Sequence, residues 1–489
     1  MVLFRAPPDA SVVAATSFTA RGTPPPLAEP RALVGAFKEA QEPKKTAKSK
    51  KAKRAKIDKP APDAVTDDDE ATVGTAQATD TVEKPGPFVW KQHPSIRFGK
   101  AVRVEFEAKF QEDGRSSYSG GLANAGVDPW ELHRNRVGVK GSVGKHIDFE
   151  VERELTEKEL TERDVLVGLT PKSQWKDVDV NVDYVKNAQI QVGKFKIPFG
   201  LDELTGVTHN DFVYRSLGAN YLAPARDVGG MVHGSFLKHG LQYAAGAFTH
   251  DGDNARSKKI QGGNETVAGR VTFRPLRRVS PALGTLEIGT AVALTALSDD
   301  SFRPNGLRGR TVITQDTFFK PVYVKGRRSR MEGDVDWTIG PASLRAEYTQ
   351  VRDTRRNQSL TDGDLPDARY RSWYVSGTWL LTGEHKRRPV KPKSDLFDRG
   401  VGAVELVGRI ERVWFDSVGG TDEPFANSRA ENILPVGDRA VTMGVNWTLN
   451  RFVKLQFNAI RERIDDPDRN PVANGSAFWS RVVRLQFVL

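Results

Sequence analysis

The chain has no cysteine in 489 residues and only four methionines. Without cysteine there are no disulfides, no thiolate metal sites and no cysteine nucleophiles. That is compatible with an oxidising compartment without requiring one. Histidines are also few: the eight present are scattered, and none has metal-ligand spacing such as H-E-x-x-H. No G-x-S-x-G elbow and no Gly-Lys phosphate loop occurs. Neither a metal nor a cofactor is therefore expected, and no catalytic constellation is expected either. Long hydrophobic runs are missing too. With 38% hydrophobic and 28% charged residues, no window reaches the roughly 18 uninterrupted apolar residues of a membrane helix. A transmembrane β-barrel escapes that test, because only alternate residues of its strands meet lipid.

What the chain has instead is alternation. In "AVRVEFEAKF" (101–110), Val102, Val104, Phe106, Ala108 and Phe110 are apolar, and the residues between them are charged. A period of two places one set on each face of an extended strand. Met331, Gly333, Val335, Trp337 and Ile339 oppose Glu332, Asp334, Asp336 and Thr338, and Val453, Leu455, Phe457 and Ala459 oppose Lys454, Gln456 and Asn458. Sixteen such segments are expected: 97–110, 135–144, 147–155, 177–185, 188–195, 229–237, 241–249, 265–274, 284–296, 330–339, 342–352, 370–382, 403–415, 440–449, 452–463 and 477–489. From Phe98 to Phe110 the first would rise roughly 30 Å at a 40° tilt, close to a hydrocarbon core with aromatics at its rims.

The connections sort by parity. Tight turns at 144–146, 186–187, 238–240, 340–341 and 450–451 alternate with long polar segments. The exception is "HKRRPVKPKSDLFDRG" (385–400), which is long where a short turn is due. Outer-membrane barrels have short periplasmic turns and long outer loops, whereas a soluble sandwich has no reason to sort its loops this way. The expected fold is therefore all-β, a sixteen-stranded antiparallel transmembrane barrel over residues 94–489. Its charged face lines water, since a basic residue facing mid-membrane lipid costs about 2–4 kcal/mol.

Residues 1–88 read differently, as a disordered extension. "RGTPPPLAEP" is turn-rich, and "KKTAKSKKAKRAK" (44–56) packs eight basic residues into thirteen. Few large apolar side chains are present to offset the ordering entropy. The lysine run reads as a solvated linker, and no nucleic-acid partner is expected. Net charge is +11. Residues 1–90 carry fourteen basic and twelve acidic side chains, leaving fifty-nine and fifty to the remainder. The positive excess thus belongs to the strand region, where it suits anionic partners. "MVLFRAPPDASVVAATSFTARG" makes a poor signal peptide, so for an exported protein the true start is expected upstream of Met1.

Several stretches resemble one family. "VGKFKIPFGLDELTG" (192–206) and "FVYRSLGANYLAPARDVGGMVHG" (212–234) resemble the phosphate-selective porin O and P family of bacterial outer membranes. So do "PSIRFGKAVRVEFEAKFQ", "WYVSGTWLLTGEHK" and "AVTMGVNWTLNRFVKLQFN". The resemblance spans about residues 94–489. It implies a trimeric, sixteen-stranded porin of the outer membrane that passes inorganic anions such as phosphate. It also implies contact with outer-membrane lipid and lipopolysaccharide, insertion by the outer-membrane assembly machinery, and a third outer loop folded into the pore. Here that loop would be 196–228. Tyr214-Arg215-Ser216 and Ala225 depart from the family pattern, as does the terminal "RLQFVL".

Arg215 and Arg226 in this loop are candidate pore residues, because a planar fork of donors suits phosphate oxygens. Lys194 and Lys196 flank the strand end, with Lys194 in parity to snorkel at the lipid rim. Alternation points Arg103, Lys109, Arg136, Lys140, Arg270 and Arg345 inward. Inward acids are as numerous, so cross-strand neutralisation competes with a basic track. A weakly selective anion pore is the preferred reading. A non-transporting adhesion or anchoring barrel is second, and an outer-membrane hydrolase using His233 and Ser235 is a remote third.

Overall fold

The computed structural model describes residues 88–90, 94–119, 122–123, 129–156, 174–255, 265–276, 279, 283, 285–298, 304–418, 428–429, 431–465 and 477–489. The expected extension 1–88, with its lysine run, lies almost wholly outside them.

Sixteen antiparallel strands form the wall. They are β1 (Val102–Ser119), β2 (Trp130–Val143), β3 (Ile147–Glu154), β4 (Trp175–Val185), β5 (Ala188–Lys196), β6 (Arg226–Phe236), β7 (Leu241–Phe248), β8 (Thr266–Phe273), β9 (Glu287–Leu297), β10 (Gly326–Ile339), β11 (Ala342–Arg355), β12 (Leu365–Leu380), β13 (Ala403–Ser417), β14 (Val436–Thr448), β15 (Val453–Ile464) and β16 (Ala477–Val488). Each pairs with its neighbour in sequence, and β16 returns to β1, with Phe487 opposite Phe110 and Arg484 opposite Asp113. Reciprocal hydrogen bonds between Leu489 and Ala108 seal the seam at 2.8 and 3.1 Å. Closure leaves no edge strand, which is what a sheet in lipid requires.

The first strand differs from expectation. It begins at Val102 and runs to Ser119, and Phe98 belongs to a separate short strand, Pro94–Phe98, that folds back on it with Ser95 opposite Glu105. Gly99, in the left-handed region at φ 60°, makes that reversal. Phe98 therefore does not mark a rim of β1.

Outward residues follow the expected parity: Met331, Ile288, Val292, Leu294, Phe457 and Val483 are exposed. The inner face is not uniformly wet. Near the long-loop end, Val351, Tyr370, Val413, Phe415, Ile460, Ile464, Phe478 and Val482 point inward and are buried. A second inward element covers them. The β9–β10 connection carries a two-stranded ribbon (Gly309–Arg310 with Thr317–Phe319) and packs Val312, Ile313, Phe318 and Phe319 on this wall. Phe319 stacks on Phe415 with ring centroids 4.4 Å apart. Alternation cannot announce this, because inward apolar residues on consecutive positions read as ordinary strand interior.

Candidate functional site

Between β5 and β6 the chain leaves the wall and enters the lumen. Two short helices shape this loop, α1 (Leu201–Leu204) and α2 (Leu217–Tyr221). Ser216 caps α2 by accepting from Ala219 N at 3.3 Å. A side chain at Gly218 would collide with Ser372 on β12, so the helix can approach that strand only with glycine there.

The loop crosses to the opposite wall and is held there by hydrogen bonds. Leu217 N donates to Glu411 at 2.6 Å, Val213 N to Asn458 at 2.9 Å and Asp202 N to Glu347 at 3.0 Å. In return Arg484 donates to Val213 O at 2.6 Å, Asn446 to Asp211 O at 2.8 Å and Lys454 to Asn210 O at 3.0 Å. Buried backbone groups of an irregular segment need such partners, and inward polar side chains of β11 to β16 supply them. The long connection 381–402 adds a clamp from the other end: Lys386 and Arg388 both reach Asp211, at 2.5 and 3.2 Å. Burial would raise the Asp211 carboxyl, but Arg388, Lys386 and Arg345 hold it well below the usual range.

The candidate cations are placed as follows. Arg226 grips Asp177 with two hydrogen bonds of 2.9 and 2.7 Å. Arg215 lies 3.4 Å from Glu203 and donates to Thr205 O at 2.7 Å. These arginines are thus accompanied, and Arg226 fully so. Its guanidinium holds a wall carboxylate rather than waiting for a ligand. Arg136 pairs with Glu152 and Glu154, Arg270 with Glu332 and Asp334, and Arg345 with Asp336. Lys109 binds Glu152, Lys140 binds Glu107 and Arg103 binds Glu105. The competition from inward acids is therefore extensive. Lys194 does not snorkel to the rim: it is mostly covered and faces Asp253 at 3.5 Å. His233 and Ser235 do not pair with each other. His233 meets Asn181 at 3.0 Å and Ser235 meets His239 at 2.9 Å. Among the described residues two clusters have metal-like spacing, Asp113–Glu131–His133 and Glu107–Glu150–Glu152, but Arg484 and Lys109 already sit on them.

Some inward cations lack an ion pair among the described residues: Lys454 and Arg355 donate to carbonyls only, and a further group lies at the root of the loop. Lys196 donates to three carbonyls, Glu203 O, Leu204 O and Thr205 O at 2.6–3.1 Å, and among the described residues no carboxylate lies within ion-pair distance of it. Its electrostatic neighbours are Arg215 and Arg226, which repel it, and Glu203 and Asp177, which attract it. Arg215 keeps one buried guanidinium nitrogen, Nη1, without a partner. Arg134 completes the group. It donates to Gln111 at 2.7 Å, has no ion-pair partner among the described residues, and feels repulsion from Arg136, Arg484 and Arg215.

Sequence reasoning missed Arg134 because the strand was expected to start at 135. A bulge brings it in. Gln111 pairs with Arg134 and Glu112 with Leu132, so His133 is an extra residue, and such irregularities re-aim side chains. His133 also turns inward and meets the Tyr214 ring edge-on at 5.4 Å. The excess positive charge is felt by His209 on the loop. Burial, then Lys454, Lys109, Lys196 and Lys140, push its imidazole down to about 4.

The family model for phosphate-selective porin O and P matches residues 123–489. Porin O of Pseudomonas aeruginosa is 22% identical over 430 residues, covering 81% of this chain and 88% of its own. Among solved structures, an anion-selective porin from Comamonas acidovorans covers 79% of this chain and all of its own, at 12% identity and a TM-score of 0.47. The outer-membrane channel DcaP of Acinetobacter baumannii covers 81% of this chain and 99% of its own, at 10% identity and a TM-score of 0.48.

Proposed function

This chain belongs to the phosphate-selective porin O and P family, and from that premise we propose that its lumen passes small anions by passive diffusion, with Arg134, Lys196 and Arg215 as the selecting group. It is an outer-membrane barrel, not a soluble sheet. The observation that carries the reading is the uncompensated charge at the loop root. Most inward cations of the wall have an ion-pair partner; here, among the described residues, Arg134 and Lys196 have none, and Arg215 keeps a free donor.

A fixed positive charge in a narrow passage lowers an anion's entry cost and raises a cation's. Several weak contacts suit conduction better than one strong site, which would trap the ion. Arg103, Lys109 and Lys140 are the more solvent-exposed of the inward cations, with side chains 35%, 19% and 28% exposed. They fit a lead-in on the β1–β2 wall, where their paired carboxylates keep the binding loose. Lys194, Arg136, Arg270 and Arg345 act in this reading as wall ion pairs rather than as contacts for a permeating ion. Arg226 positions the loop.

Phosphate is the preferred class of permeant anion because the free guanidinium donor of Arg215 suits its oxygens, while Lys196, whose three donors serve carbonyls, contributes charge only. The same reading includes a homotrimer, insertion by the outer-membrane assembly machinery, a barrel domain over 94–489 and no enzymatic activity. That His233 and Ser235 each bond elsewhere supports the last. The test is the reversal potential of single channels in a salt gradient, with and without phosphate. Anion preference together with phosphate block of chloride current is the expected result. A channel that prefers cations, or a folded barrel that conducts nothing, removes the proposal.

A further inference from the structure

The outward face near the long-loop end carries charge where a membrane strand ordinarily carries none. On β13, β14 and β15, Arg412, Arg439 and Arg463 stand in one row: Arg412 is directly opposite Arg439, and Arg439 is directly opposite Arg463. Like charges facing each other across strands are destabilising. Among the described residues a single carboxylate serves the row. Asp465 accepts from Arg412 at 2.6 Å and from Arg439 at 2.9 Å. Arg463 is exposed and has no partner among the described residues. Among the described residues the row therefore holds more positive charge than carboxylates compensate.

Its height follows from parity. Val441 and Met443 lie two and four residues further along β14 from Arg439 and are exposed on the same face, with Arg461 of β15 opposite Val441. The row sits about 7 Å beyond Val441 at strand rise and spans about 10 Å across three strands. Tryptophans bracket the row, Trp414 on its loop side and Trp479 on the other. Trp414 is flanked by Arg412 and Arg371, at 5.1 and 4.8 Å from the ring centroid. Trp479 is covered by Arg461 at 5.6 Å. Aromatic girdles mark the membrane–water interface in barrels, and arginine is tolerated there at a cost of about 0–1 kcal/mol. On the neighbouring strands Arg352 on β11 opposes Arg369 on β12, but each has a carboxylate there, Asp367 and Asp416.

We propose that the Arg412–Arg439–Arg463 row binds the phosphate groups of the outer-leaflet glycolipid. The proposal rests on the outward face meeting lipid and not on what the lumen conducts. An ion free in solution has no reason to find a row that lies beside the apolar band. A lipid phosphate is delivered to that level by its own acyl chains. Guanidinium forks bind phosphate oxygens in pairs, and the bound anion relieves the repulsion along the row. Trp479, opposite Arg461 and so two residues below the row, fits the sugar–acyl boundary with its ring half in the apolar layer, while Trp414 stands two residues above the row.

The experiment uses the full chain, folded in detergent, and two probes: bis-phosphorylated lipid A and the same lipid stripped of phosphate. Binding is read by native mass spectrometry, with inorganic phosphate as competitor. The wild type is expected to prefer the phosphorylated lipid by at least about tenfold. Arg412→Gln/Arg439→Gln/Arg463→Gln is expected to lose that preference, and millimolar phosphate is expected not to displace the lipid. Equal binding of the two lipids by the wild type overturns the proposal, as does an undiminished preference in the triple variant. Displacement by inorganic phosphate also overturns it, because the row would then be a general anion site. Should the triple variant fail to show the heat-dependent gel shift of a folded barrel, the wild-type comparison decides alone. Channel selectivity is measured separately, so failure of either reading leaves the other intact.

Discussion

Replacing Arg134 with glutamine should weaken anion preference more than replacing any other single inward cation. Arg134 is half-buried at the bulge of β2, bonded to Gln111 and pressed by Arg136, Arg215 and Arg484. Its charge is therefore neither cancelled locally nor needed to hold a carboxylate. Two unit charges 4 Å apart interact by about 1 kcal/mol in bulk water and about 4 kcal/mol at an effective dielectric of 20. A lumen crossed by a packed loop lies between these limits. Even the lower figure changes local anion occupancy by about fivefold, and it acts on cations in the opposite sense. Arg134→Gln should thus lower the anion-to-cation permeability ratio by at least about fivefold, read as a reversal-potential shift toward the cation value in a salt gradient. Conductance should change little, since the barrel and the loop anchors are untouched. Folding should also be preserved, because no carboxylate loses its partner. If Arg134→Gln keeps the wild-type reversal potential while Arg103→Gln shifts it, the loop root is not the filter and selection occurs on the β1 wall.

Three further perturbations follow from the same geometry. Arg226→Gln leaves Asp177 buried without its cation and should cost about 3–5 kcal/mol. This appears as a lower temperature for the heat-dependent gel shift, largely restored by adding Asp177→Asn. His209, held down to about 4 by burial and four lysines, stays neutral through the mildly acidic range. Its unfolded form binds a proton near 6.5. Loop stability is therefore full above pH 6.5 and declines as pH falls toward 4, and Lys454→Met should raise the His209 value in an NMR titration. Val483→Arg puts a charge mid-strand on the exposed face of the closing strand, where it should cost about 2–4 kcal/mol and sharply reduce the folded barrel recovered from the outer membrane. Unchanged recovery would contradict lipid contact on that face.

Strand number, the lipid-facing side of each strand and the parity of the loops were legible in the sequence alone. The physical reason is local. A half-buried strand must alternate, and residues such as Met331, Val335 and Phe457 declare their face through their immediate neighbours. The entry of the loop after β5 was legible only through resemblance, since length by itself does not say which way a loop folds. Three features needed the tertiary structure. The apolar plug is one: Val312 and Phe319 meet Val413 and Phe415 from a distant part of the chain. The fate of the arginines is another. Arg226 and Arg134 are the same residue type, yet Arg226 lies against Asp177 and Arg134 has no ion pair among the described residues. Which carboxylate a cation finds depends on register and on a one-residue bulge at His133. The arginine row is the third. Arg412, Arg439 and Arg463 are spread over more than fifty residues, and only the pairing of three strands sets them side by side. Alternation is a property of neighbours in sequence, whereas compensation of charge is a property of neighbours in space.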